Sequence, residues 1–242
     1  MATDRPDGGR PPLGGWKVAV AAGLLGAAVG AGGMFAASGP VVRGYLLEHP
    51  EVLPEAMQRL EARQAAKSVG QSRSALETPF AGAWAGARDG DVVLVEFFDY
   101  ACGFCRKSNA DVERLLAEDP KLKVVWRDWP VLGPDSEAAA RTSLAAARQG
   151  RFKPFHDALF AKGRPSPEAV AEAAQSAGVD LAAAEPVRAS PAASQEIARN
   201  YQLASQLRAS GTPTFVVGDR ILQGAVGYDV LKDAIAAARQ PG

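Results

Sequence analysis

The feature that most limits what this chain can become is a hydrophobic run, Val92 to Phe98, that leads through Asp99-Tyr100-Ala101 into Cys102-Gly103-Phe104-Cys105. These are the only two cysteines in the sequence. The residues that follow, Arg106 to Glu118, carry Val112, Leu115 and Leu116 on one side and read as a helix. The run before them is mostly apolar, as in a strand covered on both faces. A strand that delivers two cysteines to the first turn of a helix is a redox arrangement. N–H groups at a helix start have no intrahelical partner, and the helix dipole adds partial positive charge there. A thiolate at Cys102 is stabilised in that field, and thiolate is the form that attacks a disulfide. Cys105, one turn deeper, is placed to resolve the mixed disulfide that results.

Two other readings of the pair are weaker. Half of a zinc site needs further ligands, and structural zinc usually has four. Only His49 and His156 offer nitrogen, and neither has a companion at ligand spacing. No metal is therefore expected. An inert structural disulfide is the other reading.

Far along the chain, Gly211-Thr212-Pro213-Thr214-Phe215-Val216-Val217 places a proline at the head of a β-run. Proline cannot donate to a ladder, so it belongs at the first residue of a strand. It is also the residue for which a cis peptide bond is least costly. Beside a Cys-x-x-Cys strand, a cis Thr212–Pro213 bond would present the Thr212 backbone to an extended substrate at Cys102. An ordinary strand-opening proline is the alternative.

Val95 to Cys105 together with Gly211 to Phe215 resembles the DsbA-type thiol–disulfide oxidoreductases of the bacterial envelope. The resemblance runs from about Asp91 to the C-terminus. It implies an α/β, thioredoxin-like fold with an inserted helical domain, preceded here by an N-terminal helical segment. It also gives Glu96 a role. The resembled family has a buried acid six residues before the first cysteine, where a carboxylate of raised pKa would relay a proton from Cys105. A solvated Glu at a sheet edge is the competing reading. Val42 to Met57 is similar to the N-terminal region of the suppressor-of-copper-sensitivity protein C branch.

The remainder divides by composition. Residues 1–15 are polar and rich in Pro and Gly, and are expected to be disordered. Residues 16–38 change character: Val18 to Ser38 holds no charged residue, and Arg5, Arg10 and Lys17 precede it. Such a stretch is either a signal peptide ending at Ala36-Ala37-Ser38 or an uncleaved anchor across the inner membrane. A helix buried in a soluble core is a third reading. Both of the first two export the rest of the chain, to a bacterial periplasm if the resemblance holds, and an oxidising compartment lets a dithiol cycle.

Residues 40–69 read as two helical pieces broken at His49-Pro50. Leu53, Met57, Leu60 and Gln64 make a narrow seam on the second. That seam fits either docking on the chain's own domain or self-association into a homo-oligomer. Residues 70–77 read as the core of a polar linker extending toward residue 90, with the catalytic domain at 78–242. Lys121 to Trp129 is the next strand. A helical insertion occupies about 134–210, with Phe152, Phe155, His156, Leu159 and Phe160 on one face, so His156 reads as a packed core residue. Thr214–Val217 and Arg220–Leu222 flank a Gly218-Asp219 hairpin turn, and a helix from Tyr228 to Ala238 closes the domain.

Formal net charge is zero and Lys and Arg form no basic run, which gives no footing for nucleic acid. The expected activity is thiol–disulfide exchange, oxidase or isomerase, on exported proteins, without a cofactor, since the cysteines carry the electrons. A membrane redox partner would reset them. Two alternatives stand beside it. One is a reductase that keeps client thiols reduced. The other is an exported copper(I)-binding thiol protein, because soft sulfur favours copper(I).

Overall fold

The computed structural model describes residues 41–240. The expectations for residues 1–15, and for a signal peptide or anchor at 16–38, lie outside the described residues. The chain divides into two units between Arg59 and Leu60.

In the first unit, residues 41–48 are helical (α1), and the helix stops at His49 before Pro50. Tyr45 and His49 face each other across one turn, with ring centroids 4.6 Å apart. Helix α2, Val52–Glu77, begins three residues later. Its Pro54 lies in the first turn, where a missing N–H costs nothing.

The second unit is built on a five-stranded sheet of order β1-β3-β2-β4-β5. The strands are β1 (Trp84–Gly86), β2 (Val92–Phe98), β3 (Leu122–Asp128), β4 (Thr214–Val217) and β5 (Arg220–Gln223). β2 and β3 run parallel, with Glu96 opposite Trp126, and helix α3 (Gly103–Glu118) joins them. The other pairings are antiparallel. Helices α4 (Pro134–Arg148), α5 (Phe152–Lys162), α6 (Pro167–Ser176), α7 (Leu181–Arg188) and α8 (Pro191–Gln206) follow β3. Helix α9 (Tyr228–Ala238) comes last. Start signals are local: Ser166, Asp180 and Ser190 each accept a backbone N–H at the head of α6, α7 and α8. The mixed sheet and helical insertion are those of a thioredoxin-like DsbA fold.

One hydrophobic cluster joins Leu94, Phe98, Tyr100, Val124 and Trp126 to Phe152, Phe155 and Phe160 of α5. A second, on the other face of β2, joins Val95, Phe97, Val125 and Val216 to Val69 and Leu76 of α2. Strand β2 is thus covered on both faces, which is why it reads as a continuous apolar run.

The linker expected at 70–77 is corrected: those residues are the last two turns of α2. Val69, Ser72 and Leu76 form a stripe at helical spacing and are buried in this second unit. The stripe is short and one of its three members is serine, so the polar composition hid it. Residues 84–86, within the same expected polar stretch, are the edge strand β1. Arg127 on β3 explains where α2 stops. Its guanidinium donates to the carbonyls of Ala75, Leu76 and Thr78 and pairs with Glu196 at 2.8 Å, all in the interior. It supplies donors to the carbonyls that a helix C-terminus leaves unpaired.

Candidate functional site

The site lies where β2 ends and α3 begins. Cys102 is the N-cap of α3, in extended backbone conformation (φ −79°, ψ 115°). The Cys105 backbone N–H donates to its sulfur at 3.3 Å. The same sulfur lies 3.2 Å from the carbonyl oxygen of Thr212, and the Thr212–Pro213 bond is cis. Cys102, Cys105, Thr212 and Pro213, spread over more than a hundred residues, are therefore brought together. Both cysteines are free thiols. Cys102 retains 6% exposure and Cys105 none.

The two thiols are driven apart electrostatically. The Cys105 thiol hydrogen-bonded to Cys102 is the largest cause holding Cys102 down to about 5. Partial burial opposes it, while the Thr212 side chain and the N–H groups of Cys105 and Phe104 assist. Burial pushes Cys105 far up, and its bond to Cys102 and the charge of Glu96 add to that. Glu96 is 1% exposed in the middle of the sheet. Burial raises its carboxyl to about 8, against the opposing pull of the Trp126 indole, which donates to Oε2 at 3.0 Å. A solvated edge position for Glu96 is thereby ruled out.

A family model described as a DSBA-like thioredoxin domain matches residues 93–236, more than half of the chain. The chain belongs to the DSBA-like thioredoxin family. Members of that family are thiol–disulfide oxidoreductases. Residues 36–67 match the N-terminal domain of the copper resistance protein ScsC. A thioredoxin-like oxidoreductase from Silicibacter pomeroyi is 38% identical, with a TM-score of 0.66 over 69% of this chain and 96% of that one. A periplasmic thioredoxin-like protein from Salmonella enterica serovar Typhimurium is 28% identical, with a TM-score of 0.64 over 69% of this chain and 95% of that one. Among curated relatives, sodium/proton antiporter NhaA 3 of Salinispora tropica is 31% identical over 156 residues, 63% of this chain and 24% of that protein. The match spans between 13% and 25% of the length of the curated relatives.

Sequence reasoning missed part of the support beneath this DSBA-like site. Asp99, buried, accepts four hydrogen bonds. Oδ1 takes the N–H of Ala101 and the hydroxyl of Ser136, both at 2.7 Å. Oδ2 takes the N–H groups of Val131 and Leu132 at 2.8 and 2.9 Å. One carboxylate thereby ties the cysteine turn to the loop after β3 and the start of α4. An Asp three residues before a Cys-x-x-Cys pair was the available signal, since Asp commonly satisfies turn N–H groups. Trp126 left a fainter one. Its indole must find an acceptor when buried, but only strand register shows that the acceptor is Glu96. His156 is fully buried among Phe98, Trp126, Phe152 and Phe160, within 4.7–5.3 Å between ring centroids.

Proposed function

We propose that this chain oxidises or isomerises disulfides of exported proteins, with Cys102 as the exchanging sulfur. The observation that carries the proposal is the Cys102 sulfur at the α3 N-cap, hydrogen-bonded by Cys105 and held beside Thr212. In the oxidising direction a client thiolate attacks Sγ of Cys102 in the Cys102–Cys105 disulfide. A client–Cys102 bond forms and Cys105 leaves as a thiolate. Buried and strongly basic, Cys105 takes a proton, and Glu96 is the buried acid proposed to supply it. A second client thiolate then attacks the client sulfur of the mixed disulfide. The client disulfide forms and Cys102 leaves as a thiolate, its stable form above about pH 5. Two electrons pass from client to protein. Of the two client protons, one remains on Cys105 and one is released. In the isomerising direction the same Cys102 thiolate opens a mispaired client disulfide. Thr212 and Pro213 border the sulfur and are proposed to hold the client backbone.

Residues 78–242 are proposed as the exchange domain. An extracytoplasmic, periplasmic location is proposed from the charge-flanked apolar stretch 16–38 together with the similarity to a periplasmic protein. Among the described residues no helix is long and apolar enough to cross a membrane. Self-association through the 40–69 segment is proposed from its seam: Leu53, Met57 and Leu60 are 51%, 62% and 54% exposed.

The deciding measurement is the equilibrium of the Cys102–Cys105 pair with glutathione. A potential of about −120 to −180 mV supports oxidation or isomerisation, whereas about −270 mV makes the chain a reductase. Failure to form the disulfide at all sinks the proposal.

A further inference from the structure

Beneath the cysteine turn lies a line of buried polar side chains that the exchange steps above do not use. The Tyr100 hydroxyl lies 3.1 Å from Ser143 Oγ and 3.3 Å from His156 Nδ1. Ser143 Oγ lies 3.2 Å from Asp128 Oδ2, and His156 Nε2 lies 3.2 Å from the side-chain oxygen of Asn109. Asp128, Ser143, Tyr100 and His156 are each at most 2% exposed. Asn109, on α3, is half-buried. Five side chains from β3, α4, the cysteine turn, α5 and α3 form one connected line.

Counting hydrogens limits how this line is filled. Each hydroxyl donates once, and a neutral imidazole has one N–H and one acceptor nitrogen. The aromatic surroundings of His156, with the charge of Lys153 nearby, hold its pKa well below the usual range and keep it neutral. Two arrangements remain. In one, a protonated Asp128 donates to Ser143, Ser143 to Tyr100, Tyr100 to Nδ1 of His156, and Nε2–H to the Asn109 oxygen. In the other, an ionised Asp128 accepts from Ser143, every bond is reversed, and the Asn109 amide is turned over.

The surroundings of Asp128 favour the first. Its Oδ1 is buried and has no partner. The charged groups acting on it are two carboxylates, Glu196 and Asp99, which favour its proton, and the Arg127 guanidinium, which is coupled to its charge. The adjacent Arg127 spends its guanidinium on Glu196 and on carbonyls at the end of α2. Asn200, from α8, donates to the Asp128 backbone oxygen and not to the carboxyl. An ionised Asp128 would be a buried charge held only by the Ser143 hydroxyl and its own backbone N–H, with Oδ1 unpartnered, an arrangement that is costly in a protein interior.

We propose that Asp128 carries a proton and heads a one-directional hydrogen-bond chain, Asp128–Ser143–Tyr100–His156–Asn109, that makes Asp128 and His156 positioning residues for Cys102. The link to Cys102 is short. Tyr100 is two residues before it, and the Cys102 N–H donates to the Asp99 carbonyl at 3.0 Å. A Tyr100 ring pinned at its hydroxyl from both sides fixes the turn that presents the sulfur. The direction of the chain stands independently of the reaction, whereas its effect on Cys102 rests on the thiol-exchange reading.

Nitrogen NMR of the reduced full chain tests both parts. His49, the other histidine, is exposed, and a His49→Gln variant assigns its signal. His156 is expected as the Nε2–H tautomer, unchanged from pH 5 to 9, and to stay so in Asp128→Asn, whose amide still donates to Ser143. An Nδ1–H tautomer in the unaltered chain, or a switch of tautomer in Asp128→Asn, overturns the chain. Tyr100→Phe removes the central link at nearly constant volume. It is expected to shift the glutathione equilibrium constant of Cys102–Cys105 at least threefold, and a value within the measurement error of the unaltered chain overturns the positioning role. If the unaltered chain exchanges with glutathione not at all, the thiol-exchange reading fails, while the tautomer result still decides the chain.

Discussion

At the scale of single residues, the site is a set of titrating groups pushed in opposite directions. Cys102 is held down to about 5 by the Cys105 thiol, with burial opposing. Its alkylation rate in the reduced chain is expected to rise with a midpoint near pH 5, three or more units below a free thiol. A midpoint near 8.5 would show that the N-cap hydrogen bonds do not act on the sulfur. The linkage sign follows from the same shift. The folded reduced state releases the Cys102 proton before the unfolded state does, so the contribution is complete above the unfolded value. It declines as pH falls and is gone below about 5. Reduced protein should therefore gain stability relative to oxidised protein as pH rises from 5 to 9. Glu96 works with the opposite sign. Raised to about 8 by burial, it keeps its proton in the fold while the unfolded chain loses it near 4.5. Stability therefore falls as pH rises from about 4.5 to 8. Glu96→Gln keeps an acceptor for Trp126 and removes the titration. Denaturant midpoints at pH 8 should rise, because the linkage cost of the raised Glu96 pKa is removed, and Cys105 should react more slowly if Glu96 handles its proton.

At the scale of elements, the end of α2 and the strand β3 stabilise each other. Leu76 is buried with Phe97, Val125 and Val216, and Leu76→Ala should cost about 2–4 kcal/mol in urea unfolding. Arg127→Met leaves Glu196 without its partner and several carbonyls without donors. A loss of about 3–5 kcal/mol is expected, and a neutral outcome would show that water replaces the guanidinium. These interactions explain why residues 70–77 misled a reading by composition. Ser, Gly, Arg and Gln dominate the end of α2, and its helical identity rests on a stripe of three residues and on an arginine fifty positions away. By contrast, the N-cap serines and Asp180, with Pro167 and Pro191 in first turns, mark α6, α7 and α8 locally.

At the scale of the whole molecule, the proposed exchange domain and the segment before it are expected to be separable by experiment. A fragment beginning at Leu60 contains the second unit and is expected to exchange with glutathione at the rate of the longer chain. A fragment from residue 39 is expected to sediment as an oligomer, and Met57→Glu should return it to the monomer mass. A monomeric mass for the unaltered fragment would overturn self-association.

Much of this was legible before the fold was known. A strand running into Cys-x-x-Cys, with a proline-headed strand far downstream, states its chemistry locally, because helix starts stabilise thiolates wherever they occur. Strand β2 and helix α9 were readable from apolar pattern and glycine punctuation, and the aromatic face of α5 identified His156 as core. Depth and pairing were not readable. That Glu96 meets Trp126, that Asp99 ties down the loop at Val131, and that Arg127 ends α2 depend on sheet register and on segments that meet only in the folded chain. The sequence by itself determined which sulfurs sit at the start of a helix and which strand delivers them, since those follow from neighbours along the backbone. Only the tertiary structure decided how far each titrating group is shifted, because burial and hydrogen-bond partners come from residues distant in the chain.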